Sequence, residues 1–310
     1  MQEVREFLKK MKLPTRDAYD LPSSEKRFPD GAQWRVEIPT CEGPRVFEAV
    51  LDESRKLGVP VHRVSQGSGI MLQTEDEVRE MVRMGSKEGI EVCLFVGPRG
   101  TFDTGASSQS PEGKVLAYRL RGADQLVYGL EDLRRGCELG LRSVLVADEG
   151  LLWVAGEMKK AGKLPSELVL KVSIRASHGN PASIKLLENI GASTYNVIGD
   201  LTLPQLAAIR QAVDIPLDLY VELSDGFGGI ARYYEIPEII RVTAPVYIKF
   251  GTMNAPRLYP SGKHLEDVAA KLGRERIHRA RITVDLVRRY YPDAILSGTG
   301  PKDLGIPKLD

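Results

Sequence analysis

The chain has 310 residues, 42% hydrophobic and 27% charged, with a formal net charge of +1. That is the composition of a globular chain able to bury a large core, and the balanced charge argues against broad contact with nucleic acid or a membrane surface. Cys41, Cys93 and Cys137 are widely spaced with no CxxC pair, which argues against a disulfide framework and gives no zinc or iron–sulfur spacing. No apolar run approaches a membrane span, and the N-terminal MQEVREFLKKMKL is amphipathic, unlike a signal peptide. A reducing, cytoplasmic setting is the expectation.

In chain order, residues 1–32 read as an arm, a short helix followed by the polar linker PTRDAYDLPSSEKRFPDG. From 33 to 292 one phrase recurs: a helix ending in glycine, then a β-branched strand. It appears as KLG-VPVHRV, KEG-IEVCLF, ELG-LRSVLV and NIG-ASTYNV, placing Gly58, Gly89, Gly140 and Gly191 in the same slot. A helix C′ residue turns left-handed, and glycine has no Cβ to clash there. Eight strands are predicted: Trp34–Ile38, Val61–Ser65, Val92–Val96, Val144–Asp148, Val169–Ile174, Thr194–Ile198, Leu217–Glu222 and Val246–Phe250. They are short and rich in Val, Ile and Leu, as parallel strands covered on both faces are.

Between the strands, residues 45–57 bring Val46, Phe47, Val50, Leu51 and Leu57 onto one helical face, and residues 203–213 do so with Leu206, Ile209 and Val213. Thr74 with Glu77, and Thr202 with Gln205, fit capping boxes; Asn180-Pro181 fits an N-cap with proline at N1. Strict βα alternation implies right-handed crossovers and a parallel sheet. Eight units across residues 33–292 predict a single (β/α)8 TIM-type barrel. The alternative, an open doubly wound sheet, lacks a dinucleotide fingerprint after an early strand. Residues 100–122 contain the Gly/Ser-rich stretch TFDTGASSQSPEGK. Its part 100–116 leaves strand three at the catalytic end and is expected to border the mouth, with Gly100, Gly105 and Gly113 as hinges. Residues 293–310 form a C-terminal tail, expected on the surface from Ser297.

Polar residues at strand ends are the functional candidates in this fold. Lys171 in VLKVSI and Lys249 in VYIKFG lie inside apolar runs. A buried ammonium must be paired or shifted toward neutrality, and a neutral lysine can form a Schiff base or act as a base. The structural alternative pairs Lys249 with Glu37, and Lys171 with Glu222 or Asp148. Glu37 and Glu222 complete the catalytic set; by alternation Asp218, Tyr220 and Glu222 share a face. Candidates for substrate binding are His62, Arg63, Gln66, Arg99, Asp148 and Asn196, together with Gly226, Gly228 and Gly229 of the loop after strand seven, where barrels often bind phosphate. Asp225 in that loop would repel such an anion. A divalent-metal site from Glu37, Asp148 and Glu222 is an open option. HExxH, GxSxG and P-loop motifs do not occur. Cys93 reads as a core residue.

The stretches RFPDGAQWRVEIP, VPVHRVSQGSGIML, EVCLFVGPRG, SVLVADEGLLW and APVYIKFGTMNAPRLYPSGKHLE resemble bacterial proteins of about 300 residues grouped with the U32 peptidase family. The resemblance implies a TIM-like barrel and makes hydrolase the nominal class. Better-known U32 members use four cysteines for an iron–sulfur cluster in RNA or quinone hydroxylation; with three scattered cysteines, no cluster is expected here, and no U32 catalytic residue carries over. The expectation is an enzyme for a small polar or anionic substrate, a small molecule or a peptide, with a lysine-dependent lyase, aldolase or isomerase as the rival and a non-catalytic or RNA-associated barrel as the third reading. A homo-oligomer is compatible with the sequence.

Overall fold

The computed structural model describes residues 2–17, 20–102 and 105–309. Strands β1 (Trp34–Pro39), β2 (Arg63–Ser65), β3 (Glu91–Phe95), β4 (Ser143–Val146), β5 (Val169–Val172), β6 (Thr194–Asn196), β7 (Leu217–Glu222) and β8 (Val246–Phe250) close in sequence order into one parallel barrel. β1 completes the ring against β8, with Glu37 beside Lys249. Helix α1 (Gln2–Lys10) belongs to the arm. The crossovers carry α2 (Pro44–Leu57), α3 (Glu75–Glu88), α4 (Ala106–Gln109), α5 (Gly122–Glu138), α6 (Glu149–Lys160), α7 (Pro181–Asn189), α8 (Leu203–Ala212) and α9 (Ile236–Thr243); α10 (Glu266–Tyr290) follows β8. The chain is a (β/α)8 barrel.

Local signals account for these boundaries. Both capping boxes form, and the Asn180 side chain accepts from the Ser183 N–H. Gly58 and Gly89 close their helices in the left-handed conformation, at φ 62° and 66°. Outward-facing strand residues such as Val36, Val64, Leu94, Val144 and Ile248 join the inner helix faces in one continuous apolar core. Fully burying each such side chain contributes roughly 1.5–3 kcal/mol. Because the outer faces supply this core, the inward faces are free to be polar.

The segment from Ser297 onward is not a surface tail. It crosses the N-terminal end of the barrel and forms its floor. Asp303 accepts two 2.8 Å hydrogen bonds from Arg35, Ser297 Oγ accepts a third at 2.8 Å, and the Gly305 N–H donates to Glu91 at 3.2 Å. The physical reason is the polar bottom layer: Arg35 and Glu91 are buried, and a buried ionic group needs partners. A Cβ at Gly305 would lie 2.4 Å from the Arg142 carbonyl oxygen, so glycine permits the close approach. Phe28 of the arm adds its ring 3.9 Å from the Arg35 guanidinium carbon.

The long connection after β3 folds into short helical turns, Gly100–Phe102, α4 and Glu112–Leu116. Asp103 and Thr104 lie outside the described residues. Gly113 is packed tightly, since a Cβ there would sit 1.7 Å from the Ser107 carbonyl oxygen. Close packing therefore explains this glycine better than hinge motion does.

Candidate active site

The inward faces of the strands build a buried ion lattice at mid-barrel. Glu37, Glu91 and Asp218 supply three carboxylates; Arg63, Lys171 and Lys249 supply three cations, so these six groups are charge-neutral. Arg63 reaches Glu91 at 2.6 Å and both Glu37 and Asp218 at 3.1 Å. Lys171 bridges Glu37, at 2.6 Å, and Asp218. Lys249 binds Glu37 at 3.0 Å and the Asn196 side-chain oxygen at 2.7 Å. Ser65, Ser143 and Thr194 donate to Glu37, Glu91 and Asp218 at 2.6, 2.6 and 2.9 Å. Strand register does this: Arg63 lies beside both Glu37 and Glu91, and Lys249 beside Glu37. Burial pushes the Glu37 carboxyl up, but Lys171, Lys249 and Arg63 outweigh it and hold the group well below the usual carboxylate range. Burial pulls the Lys171 ammonium below its ordinary value against the opposing pull of Asp218 and Glu37.

Above the lattice, at the C-terminal ends of the strands, is a cavity of about 60 Å³. Lys249, Asn196, Tyr220 and Ser65 form its base; Arg99, Tyr118, Arg175, Phe227 and Tyr259 form its walls. Among the described residues no Asp or Glu lines it. Of the six lattice ions, Lys249 alone does. Its Nζ lies 4.5 Å from the Tyr220 ring centroid. Tyr259 spans the rim, its hydroxyl 3.0 Å from Thr40 Oγ1 and its ring against Gly67, where a Cβ would meet the ring at 2.3 Å.

Glu37, Lys171 and Lys249 thus meet in the barrel interior, as expected. Glu222 does not join them. A register shift between Tyr220 and Glu222 on β7 breaks the alternation. Glu222 instead faces α10, paired with Arg279 at 3.2 Å and accepting from Tyr233 and the Met253 N–H. Asp218 holds the carboxylate position beside Lys171.

The predicted binding residues also separate. Asn196 and Gln66 line the cavity, and Gln66 holds the β2 loop by accepting from the Gly69 N–H at 3.0 Å. Arg63 lies within the lattice, stacked 3.7 Å over the Tyr247 ring, and is absent from the cavity wall. His62, on the opposite face of its strand, is a buried structural group. Its Nδ1 accepts from the Val36 N–H at 3.0 Å and its Nε2 faces the Ser297 carbonyl at 3.0 Å; burial pulls its pKa down to about 4. Asp148 caps α6, accepting from the Leu151 and Leu120 N–H groups at 3.0 and 3.1 Å. Glu37, Asp148 and Glu222 therefore point to three different places and cannot share a cation. Among the described residues no cluster of three His, Cys, Asp or Glu is arranged to hold a metal.

The loop after β7 does not present a phosphate cradle. The N–H groups of Phe227 and Gly229 bind the Ser224 carbonyl, and that of Gly228 binds the Asp225 carbonyl. Gly226 stands open with no close neighbour, while Gly228 and Gly229 adopt φ of 98° and 63°. These glycines shape a turn that sends Phe227 against Arg175, its ring centroid 4.0 Å from the guanidinium carbon. The β2 loop is filled from within: Glu42 accepts from the Gly67 and Ser68 N–H groups at 2.9 and 3.1 Å.

Arg99 is a wall residue. Its guanidinium carbon lies 4.1 Å from both the Phe95 and Phe102 ring centroids, and Nη2 donates to the Gly67 and Ser68 carbonyls at 2.5 Å. Sequence reasoning did not reach Arg175, Tyr118 or Tyr259. Arg175 follows the end of β5 by three residues, and that proximity was an available signal. Tyr118 and Tyr259 arrive from loops whose paths have no periodicity. Cys93 is buried, as its strand position implied, with its thiol pushed up to about 12 by burial.

No protein-family model matches the sequence, and no curated protein matches it. Among solved structures, a candidate fructose-1,6-biphosphate aldolase from Coccidioides immitis superposes with a TM-score of 0.51 at 12% identity, over 83% of this chain and 92% of that one. A candidate lyase/mutase from Burkholderia cenocepacia gives a TM-score of 0.45 at 13% identity, over 88% and 86%. The U32 peptidase Mk0906 gives 0.42 at 17% identity, over 77% of this chain and all of that one. At these identities the likeness concerns the fold alone.

Proposed function

We propose that this barrel is an enzyme acting on a small anionic carbonyl compound, as a lysine-dependent lyase or isomerase, with Lys249 polarising the carbonyl. One observation carries the reading: Lys249 belongs to the interior lattice and also lines the mouth. An ammonium has three N–H donors. Glu37 and Asn196 occupy two of them. The third is left for a substrate oxygen. A positioned cation with fixed counter-partners stabilises negative charge developing on that oxygen without reorganising during the reaction. Glu37 acts through Lys249 and is a positioning residue, itself fixed by Ser65, Arg63 and Lys171.

The nominal hydrolase class draws its support from the U32 resemblance. The mouth favours the lysine reading. Ser65 donates its hydrogen bond to Glu37, a carboxylate that Lys171, Lys249 and Arg63 make a poor base, and no histidine lines the cavity among the described residues. The test is turnover of a panel of small carboxylated and phosphorylated carbonyl compounds by the native protein and Lys249→Met. The expected loss in kcat is roughly a hundredfold or more, the range for a positioned acid–base group. Borohydride added during turnover separates the two lysine routes, since covalent trapping at Lys249 marks a Schiff base. Near-native kcat in Lys249→Met would reject the proposal.

A further inference from the structure

Two cations at the mouth make no direct ion pair among the described residues, and both lie against a single ring. Arg99 and Arg175 have their guanidinium carbons 5.4 and 4.6 Å from the Tyr118 ring centroid. Arg99 is 98% buried, and its Nε has no hydrogen-bond partner. Arg175 stacks on the Tyr118 and Phe227 rings, and among the described residues its guanidinium finds no acceptor and no ion pair. Burial pulls the Arg99 guanidinium down to about 10; Tyr118, the Glu42 carboxylate and Tyr259 oppose the fall, and the nearby Arg175 charge adds to it. Unpaired buried donors on a guanidinium are costly. Every other cation that lines this cavity has a carboxylate: Lys249 has Glu37.

We infer that Arg99 and Arg175 form a subsite for a doubly charged anionic group, the phosphate of a phosphomonoester, on the β3–β5 side of the mouth. Two guanidiniums, neither held in a direct ion pair among the described residues, offer donors from two sides to a dianion, whereas one bidentate arginine suffices for a single carboxylate. Tetrahedral oxygens can accept from guanidiniums approaching from two sides. The aromatic rings of Phe95, Phe102, Tyr118 and Phe227 hold both guanidinium planes in place before any anion arrives. The cavity of about 60 Å³ has room for a handful of waters, the scale of one compact anion. The Gly-rich β7 loop contributes the Phe227 ring to this site and not a phosphate cradle, the N–H groups of Phe227, Gly228 and Gly229 being bonded within its own turn. The inference deepens the proposed function, taking from it that the mouth is the substrate site.

The experiment is calorimetric titration of the full chain with inorganic phosphate and with glycerol 3-phosphate, using acetate and glycerol as controls. Native protein, Arg175→Met, Arg175→Lys and Lys249→Met are compared, with a thermal melt of each without ligand. Arg175 is partly exposed and makes no direct ion pair among the described residues, so its variants should melt within about 1 °C of the native protein. Saturable binding of both phosphate probes is expected, weakened about ten- to a hundredfold in Arg175→Met, as for loss of charge-assisted hydrogen bonds. Arg175→Lys should retain part of the affinity, and acetate should bind at least tenfold more weakly than phosphate. No saturable phosphate binding, equal binding by Arg175→Met, or acetate binding as tight as phosphate would each overturn the inference. Binding is read without turnover, so the two proposals fail separately. Phosphate bound normally by a Lys249→Met protein that also turns over normally sinks the lysine chemistry and leaves the subsite. Lost phosphate specificity with a strong Lys249 effect on turnover does the reverse.

Discussion

Lys171→Met is the sharpest perturbation of the ion lattice. Methionine keeps the length of the side chain and removes its charge. In the native barrel Lys171 stands between Glu37 and Asp218, and all three side chains are fully buried. Removing it leaves three carboxylates against Arg63 and Lys249, one negative charge in excess. Breaking a buried pair from one side costs about 3–5 kcal/mol, because a buried charge is left uncompensated. At the usual unfolding entropy per residue, a chain of this length loses about 1.5 °C of melting temperature per kcal/mol, so the drop should be about 5–8 °C at neutral pH. The second variant, Lys171→Met with Asp218→Asn, removes one charge of each sign. It restores neutrality and should recover at least half of the loss, since replacing both members of a buried pair is far milder than removing one. The assay is scanning calorimetry of both proteins under identical conditions. An unchanged melting temperature in the single variant, or a double variant no more stable than the single one, would refute the lattice as described.

Two further outcomes concern the floor of the barrel. His62 is held neutral in the fold with its pKa at about 4, below its ordinary 6.5. The unfolded chain therefore takes up the proton first, and stability falls as pH drops from 6.5 toward 4, by about 3 kcal/mol in all. Urea denaturation of native protein and His62→Gln at pH 7 and pH 4.5 should show a smaller acid loss in the variant; equal losses would contradict the assignment. Asp303→Asn weakens the bidentate contact that satisfies the buried Arg35. Because Asp303 is partly exposed and Asp30 remains 3.4 Å from Arg35, the expected cost is about 2 kcal/mol. It is read as a lower urea midpoint at unchanged slope; a midpoint equal to the native value would show that the C-terminal segment does not brace the floor.

The barrel was legible because each level of the sequence agreed with the next. Apolar strands, glycine-ended helices and capping boxes all pointed to one closed parallel sheet. The charged interior was legible only in part. Lys171 and Lys249 stood out as lysines within apolar runs, and alternation brought Asp218 into view. Alternation then failed at Glu222, because the irregularity after Tyr220 turns the next side chains over and nothing in LYVEL marks it. Asp148 is both a strand-end carboxylate and an N-cap before Glu149-Gly150-Leu151, and the cap claims it. His62 and the segment after Ser297 were misjudged for one reason: their partners are distant in sequence, His62 meeting the Ser297 carbonyl across 235 residues and the segment beyond it meeting Arg35 and Glu91. The mouth was least legible. Its walls come from loops, where position is set by rings stacking on guanidiniums rather than by any repeat.

Lys249, as proposed, polarises a carbonyl at the mouth. Solvent exchange tests it without knowledge of the full reaction. Polarising a carbonyl acidifies the neighbouring C–H, so solvent at the open mouth takes that proton, the enolate oxygen resting on the Lys249 ammonium, and a deuteron from the medium returns to the carbon. The measurement is ¹H NMR of pyruvate, dihydroxyacetone phosphate and related small anionic carbonyl compounds in D2O, with native protein and with Lys249→Met at matched folded concentration. Enzyme-dependent loss of the α-proton signal is expected for at least one compound, slowed by roughly a hundredfold or more in Lys249→Met. Exchange at the same rate in both proteins, or in neither, would contradict it.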